Sequence, residues 1–225
     1  MNYTFQFGQA FMHLPYLLGG ALLSLQIAFI AFWGGAAMGL FGAFGIVYGR
    51  PWLRHTIQAY ITFFTNTPAV VQIFFLFYAL PEVGIVLSSM TAVTLGLMLN
   101  SAAYLAEIQR AGFLSVRQSE LDAALTLGMN RLQTLRYVIV PHIARAIYPP
   151  LSSFFVWLVL GSSIGALYGV EELTGRALNV ATSNLRTIEI FLIVAVIYIA
   201  LTLAASLSLG LVGRHVFRVK GGLLR

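Results

Sequence analysis

Long apolar stretches separated by short charged segments make up most of this chain. Lys, Arg, Asp and Glu are absent from residues 1–49, 55–81, 83–106, 146–170 and 190–213. Because about 20 residues of helix cross the hydrocarbon core of a bilayer, each stretch is long enough for one transmembrane helix. The pattern predicts five spans, at about 17–46, 56–80, 85–107, 146–168 and 189–212.

The uninterrupted apolar runs favour helices over a β-barrel, whose strands alternate apolar and polar residues over about ten positions. The composition agrees, because 59% hydrophobic and 9% charged residues lie outside the range of soluble domains. No segment repeats another, and no Lys or Arg precedes Arg50, as the basic start of a cleaved signal peptide would require. We therefore predict an all-α integral membrane protein in which residues 1–225 form a single domain.

The basic residues predict the orientation of the spans. Eleven of the thirteen Lys and Arg lie after the first span, between the third and fourth spans, or in the C-terminal tail. Five spans place these three segments on one side of the membrane, and the positive-inside rule makes that side cytoplasmic. The N-terminus is thus expected outside and the C-terminus inside. Since orientation explains the net charge of +6, nucleic acid is not expected as a partner.

The longest charged segment, about residues 117–141, shows the local signals of two short helices joined by a turn. In the first helix, Ser119 followed by Asp122 fits an N-terminal capping pattern, and Glu120 adds a favourable charge in the first turn. Gly128 supplies the left-handed position at which such a helix ends. The segment is thus predicted to be a helix-turn-helix at the membrane surface.

The second short helix is predicted to begin at Asn130, capped together with Gln133, and to end before Pro141. In the first helix, Ala124 and Leu125 belong to a small apolar face that we expect to be exposed. Two interpretations remain open at this point. The segment lies on lipid head groups as an amphipathic loop, or it is a docking site for another protein.

A proline near the middle of the second apolar stretch predicts a break in that span. Pro68 removes a helical hydrogen bond and frees backbone carbonyls that lipid cannot satisfy. One interpretation is that Thr67 caps a half-helix whose positive end points to the middle of the membrane and suits an anionic group. The other is a structural kink whose carbonyls are satisfied by the side chains of Thr65 and Asn66.

Several polar side chains fall inside the predicted spans. Each of them could line a path for a solute or, equally, form a hydrogen bond between helices. The candidates for a path are Asn66, Thr67, Gln72, Asn100, Tyr104, Ser162 and Ser163. Pro68 and Glu107 are candidates for gating or packing, although Glu107 could simply pair with Arg110 three residues later.

The charged segment has D-A-A at 122–124, G at 128 after three residues, and V-I-V-P at 138–141 after nine more. It resembles the cytoplasmic loop in the permease subunits of bacterial ABC importers, whose pattern is E-A-A, three residues, G, nine residues and I-x-L-P. Every spacing is kept. The substitutions are conservative, and the glycine and the proline, which have special backbone roles, are both present.

Four further motifs narrow the resemblance to the polar amino-acid family of these permeases, the histidine, glutamine, glutamate, arginine and opine type. They are G-A-L-L-S-L at 20–25, F-F-T-N-T-P-A-V-V-Q at 63–72, A-Y-L-A-E-I-Q-R-A-G at 103–112, and P-H-I-A-R at 141–145 followed by P-P-L at 149–151. They occur in the family order. The resemblance extends from about residue 16 to residue 213.

The resemblance implies a type I ABC importer permease with a fold like that of the methionine importer, in the bacterial cytoplasmic (inner) membrane. It implies a transmembrane subunit of a binding-protein-dependent importer for polar amino acids, supplied by a periplasmic amino-acid-binding protein. ATP and magnesium would bind to a separate cytoplasmic ATPase dimer. The chain has no G-x-x-x-x-G-K-[ST] phosphate loop, and we expect it to be no enzyme and to hold no cofactor. The residues implied in coupling to the ATPase are Glu120, Asp122, Ala123, Ala124, Gly128 and Pro141.

Two departures from the family pattern suggest a division of labour between two permease subunits. Thr65 stands where the family usually has Arg, and residues 160–164 (L-G-S-S-I) replace a K-D-(S or T)-S-L segment. Charges inside the membrane are costly and are normally kept for function. We therefore expect a heterodimer, favoured over a homodimer, in which a sister permease carries those charges. The binding protein is expected to dock near Glu171, Glu172, Arg176 and Arg186.

Two rival functions follow from other classes of membrane protein. A secondary transporter or channel subunit for small polar solutes would work without an ATPase and would need relay charges inside its spans. A membrane-embedded enzyme would need a clustered nucleophile and base or a set of metal ligands. The four histidines occur singly, without an H-x-x-x-H pair, so no metal site is predicted.

Overall fold

The computed structural model describes residues 5–217, and this part of the chain is helical. The first helices are α1 (Phe7–Phe11), α2 (Leu14–Tyr48), α3 (Pro51–Thr65) and α4 (Ala69–Phe74), and a π-helical turn (Phe75–Ala79) and a 3-10 turn (Leu80–Val83) extend α4. The remaining helices are α5 (Ser89–Leu114), α6 (Gln118–Thr126), α7 (Arg131–Thr134), α8 (Val140–Gly161), α9 (Leu173–Asn184) and α10 (Thr187–His215). A π-helical turn (Leu135–Ile139) joins α7 to α8, and a 3-10 segment (Ser162–Tyr168) follows α8.

Within the described residues, four helical segments are long and apolar enough to cross a membrane. They are Leu14–Tyr48, Ser89–Leu114, Arg131–Tyr168 and Thr187–His215, which take the places of the first, third, fourth and fifth predicted spans. In place of the second span, Pro51–Thr65 and Ala69–Val83 form a pair bent by 102°. The break predicted from Pro68 is therefore much sharper than an ordinary kink.

Helices α2 and α5 pack closely because small residues line the contact between them. A side chain on Gly39 would place its Cβ 2.8 Å from the backbone nitrogen of Ala106 and 3.0 Å from the carbonyl oxygen of Ala102. Gly35 faces Ser101 in the same way, at 2.7 Å from its Cβ. Since the hydrophobic effect does not drive helices together in lipid, such close backbone contact is a main source of stability.

The core lies along this pair and spreads to the other spans. A first cluster joins Ile27 and Ala28 of α2 to Ile73, Leu97 and Leu158, so it links four helices. A second cluster joins the start of α2 to α9 and α10. The outer side of α10 is apolar and exposed, at Leu192, Val196, Ile199, Leu203, Leu207 and Leu211. Such a surface suits a lipid bilayer or an apolar partner.

The structure contradicts the prediction that the second short helix ends before Pro141. Helix α7, the π-helical turn Leu135–Ile139 and α8 follow one another without interruption, and Pro141 lies in the first turn of α8. The prediction was wrong because proline is tolerated in a first helical turn, and the wider π turn before it accommodates the missing N–H. The charged segment and the fourth span are therefore one continuous helical segment, Arg131–Tyr168.

Candidate functional site

The break between α3 and α4 exposes backbone groups at a place where the chain is apolar on both sides. Helix α3 ends at Thr65, and its last carbonyls have no partner in the next turn because the direction of the chain changes at Asn66–Pro68. Lipid offers no hydrogen-bond donors. These carbonyls must be satisfied by side chains, by water or by a ligand.

Three neighbouring side chains satisfy the end of α3 from within. Each donates to the carbonyl four residues earlier: Thr65 Oγ1 to Ile61 at 2.7 Å, Asn66 Nδ2 to Thr62 at 2.8 Å and Thr67 Oγ1 to Phe63 at 2.8 Å. This is the local side-chain bonding that Ser, Thr and Asn favour near helix ends. The kink interpretation of the sequence, with Thr65 and Asn66 as donors, agrees with this geometry.

Gln72 holds the two sides of the break together. Its Nε2 lies 3.0 Å from the carbonyl oxygen of Phe64, 3.0 Å from that of Thr67 and 2.7 Å from Thr67 Oγ1. The side chain of Gln72 belongs to α4, whereas Phe64 belongs to α3. The residue is 7% exposed, so this amide group bonds in a place that water hardly reaches.

Helix α5 supplies two more donors to the same region. Asn100 Nδ2 donates to the carbonyl of Phe64 at 3.1 Å and to Gln72 Oε1 at 3.2 Å. One turn further along, Tyr104 donates to the carbonyl of Thr65 at 3.2 Å. Asn100 is 3% exposed and Tyr104 is 38% exposed. Five of the predicted path residues, Asn66, Thr67, Gln72, Asn100 and Tyr104, thus form one network, which we call the break network.

The proposed cap by Thr67 was wrong. Helix α4 begins at Ala69 with Pro68 in the cap position, and no side chain caps it. The hydroxyl of Thr67 donates backwards to Phe63 instead. A residue directly before proline is held away from helical geometry, and here the hydroxyl is nearer the end of α3 than the N–H groups of α4. Pro68 itself is exposed at the break.

The other candidates in the spans lie outside the break network. Ser162 is completely buried and donates to the carbonyl of Val159 at 2.7 Å, and Ser163 next to it is partly exposed. Glu107 pairs with Arg110 at 2.6 Å. Ser162 and Glu107 therefore make local bonds of the kind found within a helix.

The charged segment forms a short helix that starts earlier than predicted. Arg117 is in the cap position of α6, without a side-chain hydrogen bond, so the cap predicted at Ser119 was wrong. Ser119 lies within the helix, and Asp122 Oδ1 accepts a hydrogen bond from Gln118 Nε2 at 2.9 Å. Glu120 does lie in the first turn, as predicted.

The end of α6 has the predicted form. Gly128 has a φ of +70°. Its N–H donates to the carbonyl of Leu125 at 2.9 Å, and the N–H of Met129 donates to the carbonyl of Ala124 at 3.0 Å. These two bonds define a Schellman motif, in which glycine occupies the left-handed position. A Cβ on Gly128 would meet nothing within 4 Å, so the requirement for glycine comes from the backbone.

The start of α7 also has the predicted form. Asn130 Oδ1 accepts from the N–H of Gln133 at 2.9 Å, and Gln133 Oε1 accepts from the N–H of Asn130 at 2.9 Å. This reciprocal pair is a capping box. Helices α6 and α7 are therefore joined by a four-residue turn with both ends fixed.

The face that α6 presents differs from the expected one. Asp122, Ala123 and Leu125 are exposed, whereas Ala124 is 2% exposed and points into the protein. The expectation of an exposed Ala124 was wrong because a helix that lies on a surface must bury one face, and the small Ala124 belongs to that face. Sequence reasoning also missed that Glu120 Oε2 lies 3.2 Å from His142 Nδ1.

A second polar cluster lies around the start of α9, and it corrects the expected role of Glu172. This residue is completely buried, so it cannot contact a docking protein. It caps α9: Oε1 accepts from the N–H of Gly175 at 2.9 Å, and Oε2 accepts from Ser24 at 3.0 Å and from Tyr198 at 3.1 Å. The carboxylate thereby ties α9 to α2 and α10. A carboxylate is favoured at this cap position because the N-terminus of a helix attracts negative charge.

The neighbouring groups of this cluster remain at the surface. Arg176 stacks on the ring of Tyr16 at 4.6 Å and donates to its carbonyl at 2.7 Å. Glu171 is exposed and accepts from Tyr16 at 3.3 Å and from Asn179 at 3.2 Å. Four polar side chains, Tyr16, Glu171, Arg176 and Asn179, thus form a connected rim above the buried Glu172.

Residues 35–218 match the family described as the binding-protein-dependent transport system inner membrane component. The chain belongs to this family. It is a multi-pass inner-membrane component of an ABC importer, which works with a substrate-binding protein and with ATPase activity on a separate subunit. The resemblance inferred from the loop spacing is thereby confirmed, and a secondary transporter or channel is not favoured.

Individual relatives agree with the family. The glutamine transport system permease protein of Escherichia coli (strain K12) is 35% identical over 198 residues, which cover 87% of this chain and 90% of that protein. A probable amino-acid ABC transporter permease protein of Bacillus subtilis (strain 168) is 33% identical and covers 91% of both chains. The octopine transport system permease protein of Rhizobium radiobacter is 32% identical and covers 82% of this chain and 79% of that protein.

Solved structures show the same fold. A chain from a crystal structure of an amino acid ABC transporter with histidines superposes with a TM-score of 0.87 at 31% identity, covering 95% of this chain and all of that chain. An inward-facing chain of the methionine ABC transporter superposes with a TM-score of 0.65 at 16% identity, over 86% of this chain. The second match concerns the fold alone, and it confirms the expected likeness to the methionine importer.

Proposed function

We propose that this chain is a permease subunit of an importer for polar amino acids or chemically close opines. The observation that carries the proposal is the agreement in both sequence and fold with an amino acid ABC transporter over 95% of the chain. Relatives named for glutamine and octopine transport support the same substrate class. Substrates of this class carry charged amino and carboxyl groups, which need polar partners at membrane depth.

The break network is our candidate for the wall of the translocation path. Backbone at membrane depth that is not helical is tolerated where it is buried in protein or lines a water-filled cavity. Asn66 and Pro68 are exposed in this chain, and Tyr104 is partly exposed, whereas Gln72 and Asn100 are buried behind them. In this proposal Asn66, Thr67 and Tyr104 face the path, and the two buried amides hold their backbone in place. Ser162, Ser163 and Glu107 have supporting roles in packing or gating.

Helix α6 is our candidate for the docking element on the ATPase dimer, where ATP and magnesium would bind. Asp122 and Ala123 are exposed for this contact, and Ala124 anchors the helix from its inner side. Gly128 sets the angle to α7. Because Pro141 lies inside a continuous helical segment that reaches Tyr168, a displacement of the docking element would pass directly into the fourth span.

Two such permeases, this chain and a sister, would enclose the path, with N-termini outside and C-termini inside. Thr65 replaces the usual charge at the break, so this chain would form the more apolar wall of a heterodimer. The rim of Tyr16, Glu171, Arg176 and Asn179 is the proposed contact for the binding protein. Its mixed charges suit a transient polar interface.

Reconstitution in proteoliposomes tests this function. The chain is combined with a candidate ATPase and a candidate sister permease, and uptake of a panel of radiolabelled polar amino acids is measured with the binding protein present. We expect uptake of at least one of them that requires ATP and stops with an ATPase subunit lacking its phosphate-loop lysine. Uptake driven by an ion gradient without the ATPase would instead support a secondary transporter.

The same system tests the heterodimer. This chain with the ATPase alone should show no stimulation of ATP hydrolysis by substrate-loaded binding protein, and the sister permease should restore it. Full stimulation without the sister would show that two copies of this chain suffice.

A further inference from the structure

Helix α6 lies on the surface of the protein. It spans Gln118–Thr126, and its outer face, including Asp122, Ala123 and Leu125, is exposed. On its inner face, Ala124 is buried, Leu121 is partly buried, and one turn before Ala124 the side chain of Glu120 points toward α8. The turn at Gly128 constrains the C-terminal end of the helix. Glu120 is therefore the polar contact that can hold the N-terminal end of α6 against α8.

That contact is His142, at the start of the fourth span. Glu120 Oε2 and His142 Nδ1 lie 3.2 Å apart, and the two side chains are 36% and 28% exposed. His142 follows Pro141 in the first turn of α8, inside the continuous segment Arg131–Tyr168. The pair therefore joins the docking helix directly to the span, across the turn that contains Gly128.

A cavity of about 540 Å³ adjoins the pair, between α6 and the start of α8. Its lining includes Glu120, Tyr137, Val138, His142 and Arg145. Because this space is not filled by side chains, tight apolar packing does not fix α6 against the span. An electrostatic contact across the edge of the cavity is thus well placed to hold the helix, and the open space gives it room to move when the contact is lost.

We propose that Glu120 and His142 are positioning residues that hold α6 against the base of the fourth span, so that a movement of α6 carries the span with it. The proposal rests on the proposed function, since it takes α6 as the docking helix. The new element is that a specific pair, Glu120 and His142, transmits the movement of α6 to the fourth span. Sequence reasoning considered the histidines only as single residues without a metal site and gave His142 no such role.

The contact is electrostatic in character. Glu120 Oε2 is buried and forms no hydrogen bond with the described residues, so His142 Nδ1 at 3.2 Å is the polar atom that faces it. A carboxylate is strongly attracted to a positive charge at this distance. A lysine at position 142 would supply such a charge permanently.

The pair has few charged neighbours. Around the cavity, the further charged or titratable side chains are Tyr137 and Arg145, from the same continuous segment as His142. Helix α5 approaches this part of the span through Gly112, which faces Ile143 and Ile147.

A spin label on α6 tests the contact without relying on transport. The chain has no cysteine, so Ser119→Cys, at an exposed position, gives a single site for a nitroxide in the assembled complex. We expect the label to be more mobile in the His142→Gln background than in the parent. In His142→Lys it should be no more mobile than in the parent, and in the control His215→Gln its mobility should equal that in the parent. Equal mobility of the label in His142→Gln and in the parent would overturn the proposal.

The ratio of amino acid transported to ATP hydrolysed tests the consequence. Glu120→Gln and His142→Gln should each lower this ratio by up to about five-fold, the range expected for a partly exposed ion pair. The double variant should be no worse than either single one, because the two residues act through one contact. His142→Lys should keep the parent ratio.

These two measurements separate the two proposals. Failure of the parent complex to transport any amino acid, with the label responding to the substitutions as expected, would contradict the proposed function and support the contact. Transport by the parent with the same ratio in the single variants would overturn the role of the pair. Independent, additive losses in the double variant would also overturn the role of the pair.

Discussion

Replacement of Gly128 by valine tests the turn that joins the docking helix to the fourth span. Gly128 has a φ of +70° and closes the Schellman motif at the end of α6. Valine has a branched Cβ, which this left-handed conformation does not accept without strain. The residue must then move to a negative φ, and the hydrogen bonds of Gly128 and Met129 to α6 are lost.

The structure allows the size of the effect to be worked out. A Cβ at position 128 would meet nothing within 4 Å, so no steric clash with another part of the protein adds to the backbone strain. That strain is about 1–2 kcal/mol for a residue with a side chain. An energy of this size changes an equilibrium about 5- to 30-fold. The ratio of the native angle between α6 and α7 to other angles should fall by this factor, while the spans still insert and pack.

The assay is the ratio of amino acid transported to ATP hydrolysed by the complete complex in proteoliposomes. We expect this ratio to fall in Gly128→Val by a factor in that range, with the amount of assembled complex unchanged. Gly128→Asn should be affected less, because asparagine tolerates the left-handed conformation.

Gly84 supplies a matched control. It has a φ of +86°, and a Cβ there would also meet nothing within 4 Å. It follows the 3-10 turn Leu80–Val83, far along the chain from α6. Gly84→Val therefore introduces the same kind of strain elsewhere and should leave the ratio unchanged. A wild-type ratio in Gly128→Val, or an equal loss in Gly84→Val, would refute the reasoning.

Two further substitutions test the buried polar groups. Gln72→Leu leaves the carbonyls of Phe64 and Thr67 with fewer donors, and at about 1–3 kcal/mol for each unsatisfied buried group it should lower the thermal unfolding midpoint of the complex in detergent. Gln26→Leu, at an exposed position of α2, should leave the midpoint unchanged. Equal midpoints for Gln72→Leu and Gln26→Leu would contradict the role of Gln72. Glu172→Leu removes the acceptor for three donors. It should lower the midpoint more than Glu171→Leu does at the exposed neighbouring position. The reverse order would show that the buried carboxylate does not hold α9 in place.

Local signals in the charged segment allowed much of its structure to be predicted. Gly128 and the pair Asn130 and Gln133 behave as expected because their hydrogen bonds join residues only a few positions apart. The cap at Ser119 failed because the helix starts earlier, at Gln118. Helix boundaries commonly differ by one or two residues from a local expectation, and here Arg117 has the extended backbone of the cap position.

The candidate site was predictable as a set of residues but not as a network. Asn66, Thr67, Gln72 and Asn100 were recognised because polar side chains are costly in a membrane. That Gln72 would bridge both sides of the break, and that Asn100 would reach Phe64 from a separate helix, depends on contacts between residues 8 and 36 positions apart. A sequence pattern does not contain these distances.

The sequence by itself determined that the chain is helical, that it crosses a membrane and that it carries a docking loop with a glycine turn. The helices, the spans and the glycine turn follow from apolar runs and from short-range backbone chemistry, which act wherever the segment is placed, whereas docking is a proposal for this loop. Tertiary structure decided the rest. It bent the second span by 102°, buried Glu172 as a cap, and brought Glu120 to His142. The physical reason is that burial and hydrogen bonding between distant residues depend on where helices pack, and in lipid that packing is decided by close backbone contact, as at Gly39, rather than by the apolar pattern.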